Sequence, residues 1–95
     1  MSVTIENTHG KVTIPCRYIE VLKSVMGPVN LFLQGKALGT IGQKIVDGLS
    51  KYQKGDTVQI NDECEFAHSG VYKIIDWNLS SKGNVYMFDL GLKHE

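Results

Sequence analysis

Val29-Asn30-Leu31-Phe32-Leu33-Gln34-Gly35-Lys36-Ala37-Leu38 reads at two periods, and the choice between them decides the architecture. Val29, Leu31 and Leu33 alternate as on a strand, with Gly35-Lys36 as a tight turn. Val29, Leu33, Ala37, Ile41, Ile45 and Leu49 also recur every four residues, as along one helix. Gly35, Gly39 and Gly42 would each cost that helix about 1 kcal/mol. Residues 29–38 are therefore assigned to a strand.

The segments on either side follow. Thr40 three residues before Gln43 has the spacing of a capping box, in which each side chain satisfies a backbone N–H at the helix start. Ile41, Ile45, Val46, Leu49 and Tyr52 then make an apolar stripe, and Lys51, Lys54 and Gly55 suit a C-terminus, so a helix is expected over 41–53. Upstream, Val3 and Ile5, then Val12 and Ile14, alternate around Asn7-Thr8-His9-Gly10, which predicts a hairpin. Pro15 fits the first turn of another helix, with Tyr18, Val21, Leu22 and Val25 on one face and Gly27-Pro28 as its stop.

From Lys54 the period changes to two. Thr57–Ile60, Val71–Trp77 and Val85–Leu90 read as strands, the last two joined by the polar residues 78–84. A Lys54-Gly55-Asp56 entry followed by three strands resembles, in pattern only, a small SH3-like barrel over 54–93. The chain is thus expected to be one α+β domain over 1–95. Residues 1–53 would supply a hairpin and two helices, packed on a C-terminal antiparallel SH3-like barrel or curved sheet over 54–93.

Both parities of the late strands are apolar. Tyr72, Ile74, Tyr86, Phe88 and Leu90 fall on one, and Val71, Ile75, Trp77, Val85 and Met87 on the other. Either the N-terminal helices cover the second face or it stays exposed as a contact patch, since apolar clusters of several hundred Å² mark interfaces. The candidate partner-binding residues are Trp77, Met87 and Val85, joined by the acidic loop residues Asp62, Glu63 and Glu65 as a docking surface for a basic partner.

The 95 residues include 42% hydrophobic and 21% charged, the range of an ordinary globular domain. The net charge of zero conceals a division. Residues 1–54 carry seven basic and three acidic side chains, and residues 55–95 three basic and seven acidic, a balance of +4 against −4. Two oppositely charged faces are expected, able to steer a charged partner. Apolar runs such as Leu31-Phe32-Leu33 are far too short to span a membrane. The amino terminus has neither a basic region nor a long apolar stretch, so the expected location is cytoplasmic, with Cys16 and Cys64 as reduced thiols.

Catalytic patterns are sparse. Cys64 and His68, four apart, with Cys16 and His9 offer a zinc set lacking the usual paired spacing on both sides. A Cys64–His68 nucleophile pair lacks an orienting partner. The loop 61–65 departs from the calcium-loop pattern. No metal and no cofactor are expected. His94, the penultimate residue, is expected to be disordered. The segment Gly35–Lys44 holds a candidate anion site at a helix start, formed by Lys36, Gly39, Thr40, Gly42 and Lys44, although it matches neither the phosphate loop nor the dinucleotide fingerprint.

Three function classes remain. The first is a non-enzymatic interaction protein that binds a protein partner or assembles with itself, as an inhibitor, adaptor or assembly subunit. Phage and mobile-element accessory proteins are often of this size. The second is a nucleotide or nucleic-acid binder using the lysines of 36–54, which a pI near 6.8 and a lone arginine disfavour. A small enzyme comes third.

Overall fold

A computed structural model describes residues 1–27, 29–64 and 68–95. The strands run β1 (Ser2–Asn7), β2 (Gly10–Pro15), β3 (Ile19–Ser24), β4 (Leu31–Leu38), β5 (Thr57–Asp62), β6 (Gly70–Lys82) and β7 (Val85–His94), with one α-helix, α1 (Gly39–Leu49). All seven join one antiparallel sheet in the order β2-β1-β5-β6-β7-β4-β3. The sheet does not close, and β2 and β3 are its two edges. The expectation of two helices on a C-terminal SH3-like barrel is therefore wrong. The predicted hairpin forms, as β1–β2, and residues 31–38 are a strand, but it runs straight through Gly35-Lys36, where a tight turn was expected, because both residues pair with β7.

The missing helix has a definite cause. Residues 16–18 make a single 3-10 turn, and Ile19–Ser24 is a strand with a β-bulge. Ile19 pairs with Gly35 and Val21 with Gln34, which leaves Glu20 as the extra residue. A bulge advances the side-chain alternation by one. Ile19 and Leu22, three apart, consequently point the same way and are both buried, imitating a helical repeat. Pro28, the proposed helix stop, lies outside the described residues.

A second bulge resolves the two apolar parities of β6. Ile74 pairs with Leu92 and Asp76 with Gly91, so Ile75 is unmatched. Before it Tyr72 and Ile74 face the core; after it Trp77 and Leu79 do. No helix covers a second apolar face, because the strand switches parity instead. The expected loop 78–84 is mostly strand, and only Gly83-Asn84 turns, with Gly83 at φ +60°.

The core lies on the face of the sheet that α1 covers. Val3, Ile5, Ile14, Leu33, Leu49, Ile74, Leu90 and Leu92 are wholly excluded from solvent. Each such side chain stabilises the fold by about 1.5–3 kcal/mol. α1 packs into this side by its glycines. A Cβ on Gly42 would sit 2.7 Å from the Ala37 carbonyl oxygen and 2.8 Å from Tyr86 Cδ2, and one on Gly48 2.6 Å from Val12 Cγ2. Small residues let the helix approach β4, β7 and β2 closely. The capping box does not form: the N-cap is Leu38, without a side-chain bond, and the Gly39 N–H donates to the Asn84 carbonyl at 2.9 Å.

Cys16 and Cys64 are joined in a disulfide with Cα atoms 5.9 Å apart, contrary to the expectation of free thiols. Sequence spacing could not reveal it, because strand order brings the end of β2 beside the end of β5 through β1. Among the described residues no helix is long and apolar enough to cross a membrane.

Candidate functional site

Because the sheet stays open, β2 presents a free edge, and α1 lies beside it. Between them runs a groove of about 360 Å³. Its walls are Lys11, Val12, Thr13 and Pro15 of the strand and Ile41, Lys44, Ile45 and Gly48 of the helix. Val12 and Ile45 are buried and Ile41 half-buried, so the floor is apolar. The helix brings these groups together because Ile41, Lys44, Ile45 and Gly48 recur at its period.

The backbone of β2 gives this edge its chemistry. Asn7 and Gly10 flank a two-residue turn and Glu6 pairs with Lys11, Ile5 with Val12, Thr4 with Thr13. In an antiparallel ladder, pairs that exchange hydrogen bonds alternate with pairs that do not. Counting from the turn, Gly10, Val12 and Ile14 bond to β1. Lys11 and Thr13 turn their N–H and C=O groups outward, towards the groove's open side.

The strand is fixed at both ends. The Tyr52 hydroxyl shares its one proton between the Ile5 carbonyl at 3.0 Å and the Gly10 carbonyl at 2.9 Å. Burial, and then the carboxylates of Glu6 and Asp56, raise the Tyr52 pKa above its ordinary 10.0 and keep the phenol a donor. At the other end the Cys16–Cys64 bond anchors the residue after Pro15, and the Cys16 N–H donates to the Met1 carbonyl at 3.2 Å.

The residues singled out from the sequence fall elsewhere or divide. Trp77 faces the core and its Nε1–H donates to the Leu49 carbonyl at 3.2 Å, whereas Met87 and Val85 are on the outer face. There Val85 pairs with Leu38 and Met87 with Lys36. Leu38 is 60% exposed and Met87 45%, which makes a small apolar strip on that outer face. Lys36 borders a cleft of about 380 Å³ with Tyr18, Leu38 and Val85, while Lys44 belongs to the groove beside β2. Gly42 is buried in the helix–sheet contact, Gly39 donates to Asn84, and Thr40 is exposed in the first turn.

The acidic loop is held by Asp62. Its carboxylate accepts the N–H of Cys64 at 2.8 Å and of His68 at 3.0 Å. Glu63 accepts the Ser2 hydroxyl at 3.4 Å. Glu65 lies outside the described residues. The disulfide leaves Cys64 no thiol to pair with His68 as a nucleophile. Among the described residues no three His, Cys, Asp or Glu side chains gather as metal ligands. His94 is not disordered: it ends β7, with its ring edge-on to Tyr72 at 5.0 Å.

No known protein family, curated protein or solved structure matches this chain. Function is thus argued from the groove itself. No residue of β2 was singled out from the sequence, since a strand shows itself as an edge only when the strand order is known. The signal present was the pair Gly42 and Gly48, whose missing side chains bring the helix against the sheet.

Proposed function

We propose that the protein acts by binding another protein, taking an extended segment of its partner onto β2 as an additional strand. The reading is of an inhibitor, adaptor or assembly subunit rather than an enzyme. The observation that carries it is the free edge of β2 lying directly beside an apolar groove. Strand addition draws affinity from main-chain hydrogen bonds, and specificity from pockets that accept alternate side chains. Lys11 and Thr13 offer the first, Ile41 and Ile45 the second. The pinned ends of β2 lower the cost of ordering the edge on binding.

The other edge suits this role less. The bulge at Glu20 interrupts β3, and bulges and charges blunt an edge against pairing. Selection from an unbiased library of extended peptides tests the reading. Selected peptides are expected to shift the backbone amide resonances of Lys11, Thr13, Ile41 and Ile45. An empty selection, or shifts confined to the outer strip around Leu38 and Met87, would overturn it.

A further inference from the structure

Resting on that reading, we infer that the segment taken up by β2 is acidic, with apolar side chains alternating between its carboxylates. Three lysines surround the groove. Lys11 and Lys44 line it, and Lys51 brings its Cδ within 3.9 Å of where a Cβ of Gly10 would lie, at the turn end of the same strand. No carboxylate is among the described residues lining the groove. Glu6 is the cross-strand partner of Lys11 on β1 and shares its face, one strand in from the edge, but neither it nor Asp47 of α1 lines the groove. Among the described residues the one ion pair within 4.0 Å joins Lys54 to Asp76, so none of the three lysines is neutralised at contact distance.

The same charges select against other occupants. A second copy pairing edge to edge would bring its own Lys11 and Lys44 up to the first pair, and like charges facing across a ladder repel. Lysine on an open edge is a common guard against self-association. Such a guard does not repel a strand of opposite charge, and specificity commonly combines an attraction to one partner with a repulsion of others. Nucleic acid fits less well. No arginine and no aromatic ring is among the described residues lining the groove, whereas single-stranded binders stack bases on aromatic side chains. The aliphatic floor formed by Val12, Ile41 and Ile45 suits Val, Ile or Leu side chains of alternate parity.

The test measures binding of three labelled peptides of equal length: alternating Glu-Val, Gln-Val and Lys-Val. The Glu-Val peptide is expected to bind at least about ten-fold more tightly than the Gln-Val peptide, and to weaken as salt is raised. Lys-Val should bind least. The double variant K11E/K44E, altered only at exposed side chains, should lose the preference for Glu-Val or invert it. Thr13→Pro removes one outward N–H from the edge and should weaken Glu-Val and Gln-Val alike. If Thr13→Pro does not fold, the charge-reversed double variant still decides the inference.

Equal binding of Glu-Val and Gln-Val in the groove would overturn the inference and leave strand addition standing. Absence of binding by all three peptides would overturn both. Glu-Val binding unchanged by K11E/K44E, a Glu-Val-independent dimer through β2, or tighter binding of a single-stranded oligonucleotide at the same amides would each refute the acidic-segment assignment.

Discussion

Trp77 joins the sheet to the carboxyl end of α1, where its indole N–H donates to the Leu49 carbonyl, which also accepts the Tyr52 N–H at 3.2 Å. Trp77→Phe should keep most of the packing and cost about 1 kcal/mol for the lost bond. Trp77 is half-buried, so Trp77→Ala should cost more than Trp77→Phe but less than the about 3–5 kcal/mol of a fully buried aromatic. Urea midpoints separate the two, and an effect of Trp77→Ala below that of Trp77→Phe would contradict the inward placement. The buried phenols make a second case at this scale. Burial raises the pKa of both Tyr52 and Tyr72, with carboxylates adding to it: Glu6 and Asp56 for Tyr52, Asp62 for Tyr72. The folded state therefore holds these protons more firmly than the unfolded chain. The stability linked to them is complete below the ordinary value of 10.0 and drains away as pH rises through the raised values. Tyr52→Phe should start lower by about 1 kcal/mol and decline less steeply above pH 10, in urea titrations between about pH 9 and pH 11.

At the scale of elements, two bulges account for most of what the sequence concealed. The first hairpin and the stripe of α1 from Ile41 to Leu49 were legible because nothing interrupts their periods, whereas Tyr52, read as part of that stripe, lies beyond the helix end at Leu49. Residues 16–24 were not, since the extra residue at Glu20 gives a strand a three-residue repeat. Ile75 had the corresponding effect on β6 and made Trp77 look like an outward residue. The length of β6 was hidden for another reason. Asn78, Ser80, Ser81 and Lys82 have low strand propensity and hold strand conformation through pairing with Val85–Asp89 of β7. Deleting Ile75 is a direct check. Ile75→Ala keeps the bulge and should cost about 1–2 kcal/mol, whereas deletion throws Trp77 and Leu79 to the wrong face and should cost about 3 kcal/mol or more. Circular dichroism with urea unfolding measures both, and equal effects would mean that the bulge does not set the register.

For the whole molecule, the order β2-β1-β5-β6-β7-β4-β3 puts strands of the acidic half in the middle and strands of the basic half on both flanks. The two halves of the sequence do not form two opposed faces, and the contact between Lys54 and Asp76 joins one half to the other. Of the candidate residues, only Lys44 lines the groove beside β2, because edges, grooves and the Cys16–Cys64 bond all follow from strand order, which no local pattern encodes. That bond closes a sequence separation of 48 residues. Reduction, or Cys16→Ser with Cys64→Ser, should lower stability by about 2–4 kcal/mol, read as a fall in the unfolding midpoint on adding a thiol reductant. A midpoint indifferent to the reductant would deny the bond any part in stability. The same strand order constrains how the chain assembles. Hairpin β1–β2 and hairpin β3–β4 are made first during synthesis, yet neither touches the other in the ladder; each borders only strands from residues 57–94. A lone two-stranded hairpin is marginal in water. On a ribosome the first half must therefore wait, two flanks without a centre, until β5, β6 and β7 emerge to be inserted between them.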